Sequence, residues 1–126
     1  MDELRFRQIH LDFHTSEAIE GIGDDFDPEV FAETLAQAHV DSINLFARGH
    51  HGWAYFENDA FADVCHPHLT RDLLREQVEA CHARDIRTPY YITVQWNEDV
   101  ARRHPEWRVV TPEGKLQGPG PYEDGF

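Results

Sequence analysis

Ser42-Ile43-Asn44-Leu45-Phe46-Ala47-Arg48 runs directly into Gly49-His50-His51-Gly52-Trp53, and this stretch decides how the chain is read. Seven residues rich in branched and aromatic side chains predict a strand over 42–48. The glycines end it, because they adopt backbone angles that strands do not use. Upstream, Asp27-Pro28-Glu29 gives a helix start, with a carboxylate to cap free N–H groups and a proline at the first helical position. That helix should run to about Ala38, with Phe31, Leu35 and Ala38 as the stripe that packs on a sheet. Earlier still, Gln8 to His14 alternates: Ile9, Leu11 and Phe13 on one face, His10, Asp12 and His14 on the other. This predicts a first strand. Downstream, Thr70 reads as the cap of a helix from Arg71 to about Arg84, with Leu74, Val78 and Cys81 facing inward. Thr88 to Trp96 reads as a third strand, Tyr90, Ile92, Val94 and Trp96 alternating with Tyr91, Thr93 and Gln95.

Strand, helix, strand, helix, strand forces parallel pairing, since each helix returns the chain to the edge from which it left. The first strand has one polar face, whereas a parallel sheet covered on both sides is apolar on both. A closed barrel resolves this, because one side of each strand meets the outer helices and the other faces the lumen. The first strand–helix loop also lacks the glycine-rich phosphate fingerprint of an open dinucleotide-binding sheet. The fold expected is therefore α/β: the N-terminal part, about three βα units, of a TIM (β/α)8 barrel. A whole barrel takes at least about 200 residues, against 126 here. Residues 1–126 are thus expected to be a single partial domain, truncated at its C-terminus, whose last strand leaves an apolar edge open to self-association. A short helix over Glu98 to His104 should stop at Pro105. A hairpin over Arg108 to Gln117 turning at Pro112-Glu113-Gly114, and an irregular tail from Gly118 to Pro121, complete the expectation.

The formal charge of −13, from 24 acidic and 11 basic residues, argues against binding to nucleic acid or to an anionic membrane surface. Cys65 and Cys81 are not in a CxxC spacing and read as structural thiols. No apolar run of membrane-spanning length and no signal-like segment is present, so a cytoplasmic location is expected.

Gly49-His50-His51-Gly52-Trp53 falls where the second strand leaves the sheet, which in a barrel is the mouth of the active site. Adjacent imidazoles there can exchange hydrogen bonds with ring hydroxyls, and an indole offers the flat apolar face that sugar rings pack against. Gln95, Trp96 and Asn97, closing the third strand, would face the same mouth. His66 and His68 flank Pro67 and read as structural. His10, Asp12 and His14 share a strand face at a spacing that can present two imidazoles and a carboxylate to one metal ion, the basis of an alternative reading as a metal-dependent hydrolase. Glu17, Glu57 and Glu98 lie near predicted strand ends. None is assigned a catalytic role, because glycoside hydrolysis needs two carboxyl groups at a defined separation, about 5–5.5 Å for retention or about 6.5–9.5 Å for inversion.

The run Gly49-His50-His51-Gly52-Trp53, followed by His68-Leu69-Thr70-Arg71-Asp72-Leu73-Leu74 and Pro89-Tyr90-Tyr91-Ile92-Thr93-Val94-Gln95-Trp96, resembles the hypothetical glycosyl hydrolase 6 family. More distantly, the same segments are similar to the α-L-fucosidases, whose barrels carry a Lys-His-His-Asp-Gly-Phe run after the second strand. The resemblance implies binding of carbohydrate and hydrolysis of an O-glycosidic bond by retention in the complete domain, with no cofactor. It implies that His14, His50 and His51 hold sugar hydroxyls; Trp53, Gln95 and Trp96 are expected beside them from their places at the strand ends. The nucleophile implied is an Asp of the fourth strand, and no position here matches it, so the chain alone is expected to be inactive. Arg48-Gly49 stands where the fucosidases have Lys, Gly52 replaces the Asp after the histidines, and Thr15 replaces a Trp after His14. A non-catalytic sugar-binding remnant is the other alternative.

Overall fold

The computed structural model describes residues 4–116. The end of the expected hairpin at Gln117 and the tail from Gly118 to Pro121 lie outside the described residues. Three strands, β1 (Gln8–His10), β2 (Ser42–Arg48) and β3 (Tyr90–Ile92), alternate with α1 (Pro28–Gln37) and α2 (Leu73–His82), and α3 (Glu98–Arg103) follows β3. The sheet order is β1-β2-β3 and both pairings are parallel, as alternation with helices requires. The structure is a partial α/β unit. No helix among the described residues is long and apolar enough to cross a membrane.

The local chemistry explains the elements. Asp27 accepts hydrogen bonds from the amides of Glu29 and Val30, at 2.9 and 3.0 Å, with Pro28 inside the first turn. The second helix is capped by Asp72 rather than Thr70, whose hydroxyl instead donates to the Ile22 carbonyl at 3.1 Å. Both helices turn into the next strand in the same way: His39 and Asp85 take positive φ, and Val40 and Ile86 donate back to Leu35 and Cys81, each at 3.0 Å. That repeated helix ending satisfies carbonyls that the last turn leaves open.

One face of the sheet packs under the helices. Leu35, Ile43, Leu45, Ala47, Leu74 and Cys81 form this core, with Ile9 and Val78 partly buried against it. Ala32, wholly buried, takes the inward place expected of Ala38, which is exposed at the helix end. Burial pushes the Cys81 thiol up to about 11, which suits an inert packing group. The other face carries His10, Asn44, Phe46 and Tyr91. Gln8 donates to Asn44 at 2.8 Å, and the Phe46 and Tyr91 rings stack at 4.4 Å.

Two strands are shorter than expected. The β1–β2 ladder ends at His10↔Asn44, so Leu11 and Phe13, which alternate as strand residues should, are exposed. β3 ends at Ile92, beyond a register shift opposite Phe46 and Arg48, and Thr93 then turns its hydroxyl onto the Trp96 carbonyl. Tyr90, Ile92, Val94 and Trp96 are all exposed. The short helix over 98–103 is as expected, and the hairpin is present as the Val110↔Leu116 bridge, with Gly114 at φ +78° in its turn.

Candidate functional site

The loops at the C-terminal ends of the strands are stitched to each other before any site side chain is placed. Ile22, in the loop after β1, bridges Leu69, in the loop after β2, and Ala54 bridges Cys65. His66 is 2 % exposed and fixes both loops at once. Its Nδ1 accepts from the His68 amide at 3.2 Å, so its Nε2–H donates to the Ser16 carbonyl at 3.0 Å. Tyr55, 1 % exposed, holds the same loops through its hydroxyl, which accepts from the Thr15 amide at 3.0 Å and shares a hydrogen with Thr15 Oγ1 at 2.8 Å. Tyr55, and its contact with Thr15, escaped the sequence reading, since nothing in the sequence signals a contact across forty positions.

On this base the 49–52 loop is a tight turn. Gly52 N–H donates to Gly49 O at 3.0 Å, and Arg48 Nε donates to Gly52 O at 2.7 Å. The turn leaves little room at Gly49 and none at Gly52. A Cβ at Gly49 would sit 3.1 Å from His14 Nδ1 and 3.3 Å from the Tyr55 hydroxyl. Gly52 has φ +98°, and a Cβ there would lie 2.6 Å from Asp99 Cβ.

His14 and His50 are thereby pressed together: the His50 amide donates to His14 Nδ1 at 2.9 Å, and the two rings stack at 3.9 Å with 22° between planes. His14 stands edge-on to Phe46 and Tyr91, at 4.8 and 5.4 Å. With Nδ1 occupied as an acceptor, neutral His14 carries its hydrogen on Nε2, 3.7 Å from Asp12 Oδ1. Burial lowers its pKa against the pull of the Asp12 carboxylate. Burial, then His14 and His51 beside it, lowers His50 to about 4. At neutral pH both rings are uncharged groups that donate and accept hydrogen bonds.

The His51 ring follows at 4.5 Å from His50, and its Nδ1 lies 2.9 Å from Glu98 Oε2. Trp53 donates its indole N–H to Glu17 Oε2 at 3.1 Å. Its own backbone N–H, the Trp53 indole and Arg102 hold the Glu17 carboxyl at about 2. Structure therefore gathers His14, His50 and His51 at one place and ties Trp53 nearby. Gln95 and Trp96 are exposed in the segment between β3 and the α3 cap Asn97, and their inclusion rests on chain position alone. Of the three carboxylates expected near strand ends, Glu17 and Glu98 are thus drawn in as partners of site rings, Glu98 being held in turn by Arg102 four residues on.

His10, Asp12 and His14 do not gather as a set of three: Asp12 Oδ1 lies 3.7 Å from His14 Nε2 but its side chain is 71 % exposed, and His10 Nδ1 lies instead 3.5 Å from Asn44 Nδ2, where the β1–β2 ladder ends. Among the described residues, no three His, Cys, Asp or Glu side chains are grouped to hold a metal ion. A cavity of about 710 Å³ lies at the opposite end of the sheet, lined by Gln8, Ser42 and Tyr90 where the strands begin, away from the three imidazoles.

The model of the hypothetical glycosyl hydrolase 6 family matches residues 27–125. Among solved structures, the chain is similar to α-L-fucosidase isoenzyme 2 from Paenibacillus thiaminolyticus, with a TM-score of 0.82 and 44 % identity. The match covers 88 % of this chain and 16 % of that one. No curated protein matches the chain.

Proposed function

The chain belongs to the hypothetical glycosyl hydrolase 6 family, and from that premise we propose that it forms the sugar-holding wall of a (β/α)8-barrel glycoside hydrolase. A glycoside hydrolase-like role is supported by the family and by the fucosidase neighbour. The observation that carries the reading is the stacked, neutral pair His14 and His50, with His51 beside it, at the C-terminal end of a parallel sheet. Active sites of barrel enzymes occupy that end. Uncharged imidazoles suit hydroxyl groups, which need both donors and acceptors and gain little from a fixed charge. Trp53, with Gln95 and Trp96 at the rim, supplies apolar faces and an amide for the same ring.

In this reading Tyr90, Ile92 and Val94 meet a further βα layer within the closed barrel. The parent reaction is cleavage of an O-glycosidic bond with retention, by two carboxyl groups about 5–5.5 Å apart, and the chain alone binds sugar without turnover. The test is titration of the isotope-labelled chain with L-fucose, D-galactose and D-glucose, followed by amide and imidazole NMR. Shifts at His14, His50 and His51 with at least one sugar, lost in His14→Ala and His50→Ala, are expected. If every neutral sugar leaves those signals unmoved in a chain whose far-ultraviolet spectrum shows it folded, the proposal fails. Release of nitrophenol from an aryl glycoside would overturn the inactivity of the chain alone.

A further inference from the structure

α3 has no buried residue, yet it grips the site more firmly than its six-residue length suggests. The Glu98 amide donates to the His50 carbonyl at 2.9 Å, and the Asp99 amide to the His51 carbonyl at 3.3 Å. The side chains continue this contact. Glu98 Oε2 meets His51 Nδ1 at 2.9 Å, and Glu98 Oε1 accepts from Arg102. Arg102 Nη1 also donates to Glu17 Oε1 at 3.2 Å, and Glu17 Oε2 accepts the Trp53 indole N–H. One guanidinium therefore bridges two carboxylates, and each carboxylate holds one of the two aromatic rings that flank Gly52. The inner members are withdrawn from water: the side chains of His51 and Glu98 are 19 % and 12 % exposed, against 57 % for Arg102.

The chemistry of this chain of contacts is directional. A carboxylate oxygen accepts, so the contact with Glu98 places a hydrogen on His51 Nδ1, and in the neutral ring this leaves Nε2 as the lone-pair nitrogen. His14 is the opposite case, since the His50 amide occupies its Nδ1 and its hydrogen is on Nε2. The two imidazoles on either side of His50 thus differ in character, one a donor at Nε2 and the other an acceptor at Nε2. A wall holding both kinds can receive one hydroxyl of a polyhydroxylated ring as acceptor and another as donor, which two identical tautomers cannot do.

We propose that Glu98 and Glu17, joined by Arg102, are positioning residues of the sugar site: Glu98 sets the tautomer of His51, and Glu17 sets the plane of Trp53. This rests on the sugar-binding reading for its purpose, but its structural content is measured without sugar. In the full chain at neutral pH, long-range 15N–1H correlation of the imidazoles should show His51 protonated at Nδ1 and His14 at Nε2. Glu98→Ala should return His51 toward the Nε2–H form, and Arg102→Gln should do so in part. Glu98→Gln has one acceptor oxygen for the two donors Arg102 and His51, so it should shift the His51 pattern only in the presence of Arg102 and keep the Nδ1–H form in the Glu98→Gln/Arg102→Gln double variant. With L-fucose as the probe, Glu98→Ala should weaken binding at least about fivefold, the loss of one well-placed hydrogen bond, and the Glu98→Gln/Arg102→Gln pair should recover part of it. Wild-type His51 found protonated at Nε2, or a His51 pattern unchanged in both Glu98→Ala and Arg102→Gln, overturns the proposal. The wild-type spectrum decides it even should a variant fail to fold. The expected tautomers without a response to L-fucose, D-galactose or D-glucose would overturn the sugar reading and leave the positioning role intact.

Discussion

Removing one oxygen from Tyr55 should loosen the whole site. The Tyr55→Phe change keeps the ring, which is 1 % exposed and packs 4.9 Å from Phe13, and deletes only the hydroxyl between Thr15 N and Thr15 Oγ1. Burial already pushes the Tyr55 pKa up, so the group lost is a neutral hydroxyl. Thr15 is 9 % exposed, so its amide is left with little access to water. An orphaned buried donor costs about 1–3 kcal/mol, and a figure near 2 kcal/mol is expected here. With a urea slope of about 1–3 kcal/mol per molar, the unfolding midpoint should fall by about 1 M. Tryptophan fluorescence during urea titration reads it. Thr15→Val removes the hydroxyl partner but keeps the amide, so the double variant should cost less than the two single changes summed. A midpoint shift below about 0.2 M for Tyr55→Phe would refute the claim that this hydroxyl fastens the loop carrying His14 to the loop carrying His50.

Two other perturbations bear on the same loops. Gly52→Ala places a Cβ 2.6 Å from Asp99 Cβ at φ +98°, so α3 must move: amide exchange over residues 98–103 should quicken and stability should fall by about 1–3 kcal/mol, whereas unchanged exchange there would show that the loop has slack. His50 is lowered from 6.5 to about 4, so between these values the unfolded chain binds the proton that the folded chain refuses. Stability contributed by this residue is therefore full above pH 6.5, falls as the pH drops through the window and levels off below about 4. At about 1.36 kcal/mol per unit the ceiling is near 3 kcal/mol, reduced to roughly 1 by solvent access to a partly exposed ring. His50→Asn should flatten the urea midpoint across that window relative to wild type, and a parallel decline in both proteins would contradict the assignment.

The parts of the fold legible in the sequence are those set by neighbouring residues. β2 has the boundaries its composition predicts, and Asp27-Pro28 starts α1 as read, because capping is a contact over two or three positions. Where long-range pairing decides, the pattern misleads. Leu11 and Phe13 keep strand alternation after the ladder with β2 has ended, and alternation has no means of registering a missing partner. Thr70 is as good a cap as Asp72 on type alone, but its hydroxyl is engaged by Ile22, forty-eight positions away. The site divides in the same way. The Gly-His-His-Gly run marked the loop directly, whereas the pairing of His51 with Glu98 joins residues forty-seven apart and depends on how two turns meet.

α3 anchors to the rest of the molecule through ion pairs and backbone contacts, with no side chain in the core. Its outward-facing positions are therefore cheap to exchange over evolutionary time, since no cavity opens and no packing must be rebuilt. If Glu98 sets the hydrogen of His51 as proposed, this six-residue segment can drift, or be engineered, toward a different arrangement of donors and acceptors beside the three imidazoles while the sheet and its two long helices stay as they are. Variation at that end and preservation of the architecture beneath it then fall to separate stretches of polypeptide.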